Sequence, residues 1–427
     1  MMEMSVLVLC LLIAILMVLR IPIAFAILGP CLIYMWSHDQ SVGFAMRTAA
    51  AGVNSWPLLA VPLFILVGFL ATRAGIAERV FALILALVGR VRGALGYVNI
   101  GVSFGFSWMN GSALADAAGV ASIEVPHMVR KGYPRKFAVG LSAASSMVGP
   151  IMPPSIPAVV FASIALVSTS ALFAASVVPA ILICLALAVY VFFWARRHDV
   201  PQADRFSWRE VRRTFIGGFG AVLTPVVILG GILGGFFTPT EAAAVGAVYM
   251  LILGAVYRSL SLRDVVRAFA DTATTTAGIM IILASSSLFG WILAREQVPQ
   301  RLAQAFLEIT DSKIVFLILV NVLLLAIGAA IEPTSALVIC VPVLLPIATQ
   351  VGVDPIHFGV VVVFNLMLGL MTPPIGGVLF VLSAVTKIPV KEVFRGSAPF
   401  LIPLLGVLLL ITFVPQLTMW LPTVLDL

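Results

Sequence analysis

Two Pro-Pro pairs, each inside a long apolar stretch, constrain this chain more than any other feature. The first lies in residues 149–157 (Gly-Pro-Ile-Met-Pro-Pro-Ser-Ile-Pro), and the second lies in residues 369–376 (Gly-Leu-Met-Thr-Pro-Pro-Ile-Gly). Proline lacks a backbone N–H and clashes with the preceding helical turn, so neither stretch can continue as a regular helix. The sequence therefore predicts two interrupted helices, one in each half of the chain.

The composition places these helices in a membrane. Hydrophobic residues make up 62% of the 427 residues and charged residues only 10%, whereas soluble domains carry about 25% charged residues. The apolar runs are continuous and lack the alternation typical of a transmembrane barrel. We therefore predict an all-α polytopic membrane protein. Inside a bilayer, interrupted backbone is tolerated only where protein or water satisfies the freed polar groups.

The absence of several motifs narrows the function. The sequence contains no Gly-rich phosphate-binding loop ending in Lys-Ser/Thr, no His-Glu-x-x-His and no Gly-x-Ser-x-Gly. These motifs carry nucleotide, zinc and serine-hydrolase chemistry, respectively. The four histidines and four cysteines are scattered without the spacing of a metal site. We therefore expect no enzyme activity, no covalent cofactor and no transition-metal site. The net charge of +7 does not indicate nucleic-acid binding, because the basic residues stand between the apolar runs.

The two halves repeat the same order of segments at an offset of about 220 residues, which indicates an internal duplication. The prediction divides the chain into a first repeat (1–195), a basic cytoplasmic linker (196–214) and a second repeat (215–427). Each repeat contains an amphipathic arm helix, a short-limbed re-entrant hairpin and a broken helix. In the first repeat these are residues 73–92, 95–128 and 137–167, and in the second they are residues 294–312, 314–350 and 356–384.

The remaining segments complete the predicted scaffold. We expect membrane spans at residues 5–19, 22–37, 56–72, 171–195, 216–236, 240–257, 274–293 and 398–420. Between them the prediction has a polar stretch at 38–54 and a basic loop that contains Arg258, Arg263 and Arg267.

Charge placement predicts the orientation of the two repeats. Threading the spans puts all but four of the 25 Lys and Arg residues on one face, which should be cytoplasmic. The four exceptions are Arg47, Arg295, Arg301 and Lys313. The loop after the first hairpin (129–136) is strongly basic, whereas the loop after the second (350–355) has no cation. We therefore expect inverted repeats, with both termini on the periplasmic side.

Several short motifs in order identify a family. Residues 238–245 (Thr-Pro-Thr-Glu-Ala-Ala-Ala-Val), 153–157, 369–374, 130–134 (Arg-Lys-Gly-Tyr-Pro) and 354–359 (Asp-Pro-Ile-His-Phe-Gly) resemble the large membrane subunit, DctM type, of tripartite ATP-independent periplasmic (TRAP) transporters. The resemblance covers essentially the whole chain. It departs from the family at the first hairpin tip, which is commonly Ser-Gly-Ser and here begins with Asn110, and in the acids Asp116 and Glu124 of the following limb.

The resemblance implies a fold and a function. It implies a secondary transporter in a bacterial or archaeal cytoplasmic membrane, coupled to a sodium gradient and moving its hairpin-bearing domain in an elevator-like way. Its partners would be a small four-helix membrane subunit of DctQ type and a periplasmic solute-binding protein. Substrates in that family are mostly organic acids, including C4-dicarboxylates, sugar acids and sialic acid. The alternatives are a stand-alone sodium/anion symporter of related architecture and, from another class, a membrane enzyme or channel.

Paired helix breaks that face hairpin tips are the expected binding site of such a transporter. Exposed carbonyls at a break suit a small cation, and helix N-termini suit a carboxylate. The competing interpretation is that the breaks are hinges without a ligand. The hypothesis assigns a first sodium site to Asn110, Gly111, Ser112, Gly149, Pro153 and Ser155. It assigns a second sodium site to Glu332, Pro333, Thr334, Gly369 and Thr372. The substrate would contact Ser112, Pro154, Ser155, Asn365, Pro373 and Pro374.

Four further polar features have competing interpretations. Glu332 is either a functional intramembrane acid or a helix-start residue, and these roles are compatible. Thr238 and Glu241 have the spacing of a capping box, which predicts a structural role. Asn365 either braces the second break or holds helices together. Asp116 can line a polar cavity or pair with a basic group, whereas Glu124 is expected to reach the cytoplasmic interface near His127 and Arg130.

Overall fold

The computed structural model describes residues 2–19, 21–88, 91–198, 207–309, 312–374 and 376–427. These residues form helices and no strand. The first half contains α1 (Met2–Val18), α2 (Ile23–Ser37), α3 (Val42–Val53), α4 (Ala60–Arg73), α5 (Ile76–Val88), α6 (Ala94–Asn110), α7 (Ala113–Arg130), α8 (Arg135–Ser145), α9 (Ile156–Ala165) and α10 (Thr169–Arg197). The second half contains α11 (Trp208–Leu233), α12 (Pro239–Val256), α13 (Leu262–Arg295), α14 (Val298–Ile309), α15 (Lys313–Ala330), α16 (Pro333–Gln350), α17 (Pro355–Gly369), α18 (Gly377–Thr386), α19 (Val390–Phe413) and α20 (Gln416–Val424).

The predicted all-α membrane architecture is confirmed. Within the described residues, eight helical segments are long and apolar enough to cross a membrane, and they include both limbs of the second hairpin. Both helix breaks fall at the Pro-Pro pairs. After α8 a short 3-10 turn (Ser146–Val148) precedes a non-helical segment, and α9 starts only at Ile156, while α17 and α18 are separated by residues 370–376. The Pro153–Pro154 and Pro373–Pro374 peptide bonds are cis.

Three sequence predictions about the scaffold were wrong in detail. The polar stretch 38–54 contains helix α3, which begins where the Ser41 hydroxyl accepts the Phe44 N–H. Arg263 and Arg267 are not in a loop, because α13 starts at Leu262 behind a capping box formed by Ser261 and Asp264. The span expected at 398–420 is divided between α19 and α20 at residues 414–415. Residues 199–206 of the predicted linker lie outside the described residues, as does Ile375 of the second motif.

The two halves of the chain interlock around the breaks. Helix α9, after the first break, packs against the hairpin limb α16, and α18, after the second break, packs against the hairpin limb α7. The helices before the breaks also pack against the other half of the chain, since α8 contacts α19 and α17 contacts α10. Their side chains share one large hydrophobic core. Each break is thereby held between elements of both repeats, whereas the inversion of the repeats stays a prediction.

A scaffold lies beside this interlocked unit. Helix α4 packs against α12 and α13, while α13 also packs against α2 and α3. Arg73 at the end of α4 forms an ion pair with Asp271 of α13 at 2.5 Å. Helices α4 and α13 therefore stand together as one wall facing the hairpins.

Candidate functional site

The first hairpin tip lies directly on the first break. Gly111 has φ +57°, a conformation that L side chains rarely adopt, and a Cβ there would lie 2.4 Å from the Pro154 carbonyl oxygen. A Cβ on Gly149 would lie 3.3 Å from the carbonyl oxygen of Ser112. Two backbone segments can approach this closely only because both positions are glycine. The tip and the break therefore form one unit, as the sequence predicted.

Two serine hydroxyls start the helices of this unit. Ser112 accepts the Ala115 N–H at 3.4 Å and caps α7, and Ser155 accepts the Ala158 N–H at 3.1 Å and caps α9. The Ser155 hydroxyl also donates to the Pro150 carbonyl at 2.5 Å, which closes the break on itself. Ser155 is completely buried. Its hydroxyl thus holds the local backbone, and any ligand at this point has to meet carbonyl oxygens.

The second hairpin tip is built around Glu332. Its carboxylate caps α16 by accepting the Ser335 N–H at 2.9 Å, and it also accepts the Thr334 hydroxyl at 2.8 Å. Pro333 occupies the first helical position, where its missing N–H costs nothing. Glu332 is therefore a helix-start residue, which is one of the two compatible roles that the sequence offered, and both of its carboxylate oxygens accept hydrogen bonds within the tip.

The second break is held by its neighbour in the hairpin. A Cβ on Gly369 would lie 2.1 Å from the carbonyl carbon of Gly328, so α15 and α17 cross with backbone against backbone. The N–H and the hydroxyl of Thr372 both donate to the Gly369 carbonyl at 3.0 Å. Pro373 and Pro374 are exposed.

A cavity of about 760 Å³ connects the two tips. Its lining includes six of the predicted site residues, three from each tip: Asn110, Gly111, Ser112, Glu332, Pro333 and Thr334. The wall formed by α4 and α13 closes the opposite side. The contributors from that wall are Ile65, Gly68, Phe69, Thr72, Thr275, Gly278, Ile279 and Ile282.

The other predicted site residues do not line this cavity. Pro153, Pro154 and Ser155 are buried behind the lining. In the first break the cavity is lined by Pro150, Ile156 and Pro157, and in the second by Met367 and Leu370. Gly149, Gly369, Thr372, Pro373 and Pro374 are likewise absent from the lining. The structure thus brings the tips together around the cavity and places the Pro-Pro pairs outside it.

Asn110 carries a buried hydrogen-bond donor that has no partner. Its side chain is 3% exposed, and its Oδ1 accepts the Ser112 N–H at 2.7 Å. Its Nδ2 has no hydrogen-bond partner among the described residues. Buried donors in proteins are normally paired. With its oxygen already engaged, Asn110 offers a group that suits an anion better than the sodium ion assigned to it from the sequence.

Asn365 serves the helix packing of the second half. Its amide donates to the Asn321 backbone carbonyl at 3.2 Å and to the Asn321 Oδ1 at 2.6 Å. Asn321 in turn donates to the Thr412 hydroxyl at 3.2 Å. These bonds tie α17 to α15 and α19, and Asn365 does not line the cavity. Of the two interpretations of Asn365, the geometry favours the one in which it holds helices together.

The expectation for Glu124 was wrong. Glu124 does not reach the interface: it is 1% exposed, like Asp116, and it accepts a hydrogen bond from the Asn99 amide of α6. The helix spacing placed both acids on one face of α7, but only the packing of α6 and α8 shows that this face is buried. Neither acid lines the cavity.

The Thr238–Glu241 pair forms a capping box at the start of α12. The Thr238 hydroxyl accepts the Glu241 N–H at 3.3 Å, and the Glu241 carboxylate accepts the Thr238 N–H at 2.8 Å. Both residues are absent from the cavity lining.

Sequence reasoning missed the polar groups of the cavity wall. Thr72 and Thr275 line the cavity, and their hydroxyls donate to the carbonyls of Gly68 and Asp271 in the preceding turns, both at 2.8 Å. The signal was present as a run of three threonines at 274–276 within an apolar helix. Each hydroxyl retains oxygen lone pairs that can face a ligand.

Interrupted helices whose hairpin tips face one cavity define a helical membrane transporter. The sequence model of the family described as "Tripartite ATP-independent periplasmic transporter, DctM component" matches residues 7–417. The chain belongs to this family. It is therefore a TRAP transporter large permease.

Curated relatives extend the match over nearly the whole chain. The sialic acid TRAP transporter large permease SiaM of Vibrio cholerae is 43% identical over 403 residues, which cover 94% of each chain. The C4-dicarboxylate TRAP transporter large permease DctM of Pseudomonas aeruginosa is 38% identical over 395 residues, 92% of each.

A solved structure shows the same fold at lower similarity. The YdaH transporter of Alcanivorax borkumensis has a TM-score of 0.62 and 19% sequence identity, and the match covers 87% of this chain and 88% of that one. At this identity the comparison bears on the fold alone.

Proposed function

We propose that this permease imports a small organic acid together with sodium ions, after a periplasmic binding protein delivers the acid. The observation that carries the proposal is the single cavity lined by both hairpin tips. Movement of the hairpin-bearing unit along the α4–α13 wall would carry the cavity across the membrane in an elevator-like way. The membrane is a bacterial or archaeal cytoplasmic membrane, and both termini lie on its periplasmic side.

The first tip supplies groups for the substrate carboxylate. Asn110 lines the cavity, and its Nδ2 is a buried donor without a hydrogen-bond partner among the described residues. Ala113, Leu114 and Ala115 line the same surface at the start of α7. The Ala115 N–H donates to the Ser112 hydroxyl, whereas the N–H groups of Ala113 and Leu114 have no partner within the helix. The partial positive charge of a helix N-terminus favours an anion. Ser112 completes this end of the cavity.

The second tip supplies the negative charge that a cation needs. An organic anion held at Asn110 shares a largely apolar cavity with the Glu332 carboxylate. Two anions that share one cavity repel each other, and a bound cation removes the repulsion. A sodium ion at Glu332 and Thr334, together with carbonyls of Gly369 to Thr372, would make acid binding dependent on sodium.

A further sodium ion would bind to backbone carbonyl oxygens at the first break. Gly149 lies against the carbonyl oxygens of Ser112 and Ser146, since a Cβ on Gly149 would lie 3.3 and 3.4 Å from these two atoms. Carbonyl oxygens are hard ligands of the kind that small cations prefer. Because Ser155 uses its hydroxyl to bind the Pro150 carbonyl, the sodium would be held by the backbone of Gly111, Ser112, Gly149 and Pro153.

The partners follow from the family and from the length of some relatives. The isethionate TRAP permease DctMQ of Oleidesulfovibrio alaskensis is 35% identical, yet this chain covers only 65% of it. The sialic acid permease SiaT of Haemophilus influenzae is covered to 67%. The additional third of such relatives fits a fused small subunit, so we expect this chain to assemble with a separate four-helix subunit of DctQ type.

The test is uptake into proteoliposomes that contain the permease, its small subunit and the cognate binding protein. A screen of organic acids by thermal shift of the binding protein selects the substrate. We expect uptake only when an inward sodium gradient and the binding protein are both present. Sodium-independent uptake would contradict the coupling, and an unsaturable conductance would indicate a channel.

Two hydroxyl variants localise the sodium sites. Ser112→Ala alters the proposed first sodium site, and Thr372→Ala alters the proposed second one. Each variant should raise the sodium concentration that gives half-maximal uptake. Thr349→Ala is the matched control, since Thr349 is exposed at the far end of α16 and its hydroxyl donates to the Pro346 carbonyl one turn back. An unchanged sodium dependence in both variants would refute this placement of sodium.

A further inference from the structure

A second polar site lies inside the first hairpin, away from the cavity. Asp116 and Glu124 are each 1% exposed, and neither lines the cavity between the tips. They stand eight residues apart on the face of α7 that packs against α6 and α8. Two buried acids on one helix face require compensation, because a buried carboxylate without a partner is strongly unfavourable.

Hydrogen bonds provide only part of that compensation. The Ser103 hydroxyl donates to the Ser145 hydroxyl at 3.1 Å, and the Ser145 hydroxyl donates to the Asn99 Oδ1 at 2.9 Å. The Asn99 amide then donates to one oxygen of Glu124 and to the Ser142 hydroxyl at 2.7 Å. The same Ser103 hydroxyl lies beside Asp116, but it can donate to only one acceptor at a time, and it donates to Ser145. Both oxygens of Asp116 and the other oxygen of Glu124 are thereby left without a hydrogen-bond partner within the described part of the chain.

Between described residues, no ion pair joins a basic side chain to Asp116 or Glu124. The helices α5, α6, α8 and α18 and the turn Ser146–Val148 pack against α7. Their described residues and the adjoining loops carry the following charged or titratable groups: Glu78, Arg79, Arg92, Tyr97, His127, Arg130, Lys131, Tyr133, Arg135, Lys136 and Lys387. Arg92 is exposed and donates to the His198 carbonyl. Arg79 stacks on Tyr257, the His127 ring lies against Phe81, and Glu78, Arg130, Lys131, Arg135, Lys136 and Lys387 are exposed. Tyr97 and Tyr133 carry no positive charge.

We infer that Asp116 and Glu124 together form a proton-binding site within the first hairpin, separate from the cavity between the tips. A carboxylate of the pair takes a proton from hydronium, which leaves a neutral carboxyl and water, and the reverse step returns the proton to water. A neutral carboxyl removes one of the two buried charges, so hydrogen bonds have to compensate only the other.

The site is placed to influence the first tip. The N–H of Asp116 donates to the Ser112 carbonyl at 3.0 Å, and that carbonyl lies beside Gly149 of the first break. The network also joins α6, α7 and α8, which are both limbs of the hairpin and the helix that leads into the break. Loss of the proton would introduce a second charge among these three helices and loosen their packing. Proton exchange would therefore accompany movement of the hairpin, and this step rests on the proposed transport function.

Infrared difference spectroscopy on the purified protein in lipid nanodiscs tests proton binding without any transport. At neutral pH, where exposed carboxyls are ionised, wild-type protein should show a protonated-carboxyl band that shifts in heavy water. The band should be missing in the double variant Asp116→Asn/Glu124→Gln and retained in Glu78→Gln, which changes an exposed acid. Absence of the band in wild-type protein, or its persistence in the double variant, would overturn the inference. Glu296 is also buried, at 6% exposure, so Glu296→Gln should retain the band as a second control. If the double variant fails to fold, the single variants Asp116→Asn and Glu124→Gln decide, because one of them must lose or shift the band.

Uptake measurements then test the coupling separately. Obligatory exchange of one proton changes the apparent affinity for the acid by up to about tenfold per pH unit. We expect a pH dependence of this kind in wild-type protein and a flat profile in the double variant. A pH dependence that is the same in both would remove the coupling and leave the proton site standing. A wild-type protein without sodium-driven uptake would instead contradict the proposed function, and the infrared result would be unaffected.

Discussion

The two helix breaks share a sequence motif but differ in how they are covered. At the first break Pro153 and Pro154 are buried, and the break is closed by the tip of its own hairpin through Gly111. At the second break Pro373 and Pro374 are exposed, and contact with the hairpin occurs one turn below the tip, where Gly369 meets Gly328. A Pro-Pro pair therefore determines that a helix ends, and small neighbouring residues determine what lies against the end.

This difference assigns the two halves different tasks. The first tip cannot separate from its break without opening a buried backbone contact, so the two should move together. The second break has its Pro-Pro segment accessible and its Thr372 hydroxyl satisfied locally. We propose that the first half holds the substrate carboxylate at a tip that is packed on its break. The second half contributes the charge of Glu332 from a tip whose break is more accessible.

Gly369→Ala should have the largest effect, because its Cβ would lie 2.1 Å from the backbone of Gly328. Backbone cannot yield as a flexible side chain does, and we expect a loss of stability of about 3 kcal/mol or more. Thermal unfolding in detergent measures it. The matched control is Gly406→Ala in the interior of α19, where a Cβ meets nothing within 4 Å and alanine should be stabilising by about 0.5–1 kcal/mol. Equal melting temperatures for the two variants would show that the α15–α17 crossing is not close.

Gly111→Ala should abolish most uptake while sparing more of the fold. The new Cβ would press on the Pro154 carbonyl at 2.4 Å and force the tip off the break. A displacement of about 1 Å in a site of this kind costs on the order of 100-fold in rate. Gly352→Ala is the control for the strain of alanine at a positive φ, since Gly352 has φ +77° but a Cβ there would meet nothing within 4 Å. If both variants retain the same uptake, the tip and the break do not have to stay in contact.

Asn110→Asp should weaken substrate binding by about tenfold or more, because a donor to a charged group is replaced by a repelling oxygen. The substitution keeps an acceptor for the Ser112 N–H, so the shape of the tip is retained. The concentration of acid for half-maximal uptake measures the effect. An unchanged value would mean that the carboxylate lies elsewhere in the cavity.

Thr238→Ala should have the smallest effect, a loss of about 1 kcal/mol of stability from the capping box of α12. The box lies outside the cavity, so the half-saturating concentrations of acid and sodium should not change. A clear rise in either value would give residues 238–241 a role in transport that the geometry does not support.

The sequence predicted those parts of the fold that depend on local chemistry. Proline at 153–154 and 373–374 ends helices whatever surrounds it, and the capping pairs start them, so both breaks and the start of α12 were predicted correctly. The tips were also predicted to meet the breaks, and the cavity gathers Asn110 to Ser112 and Glu332 to Thr334.

The sequence could not show features that depend on which helices become neighbours. The burial of Glu124 depends on Asn99, which is 25 residues away in another helix. The partner of Asn365 is Asn321 of α15, and the threonines of the cavity wall belong to scaffold helices that carried no motif. Helix α3 was missed because a polar, Gly-containing stretch resembles a loop until its packing against α13 is known.

In the proposed mechanism, the first tip binds the acid, and the second tip binds a sodium ion that relieves the repulsion between the acid and Glu332. Direct binding of the acid to the purified permease, titrated at several sodium concentrations, tests it in Glu332→Gln. We predict that this variant binds the acid with much weaker dependence on sodium, because removing the carboxylate removes the repulsion that sodium relieves. An unchanged sodium dependence of acid binding in Glu332→Gln would contradict the account.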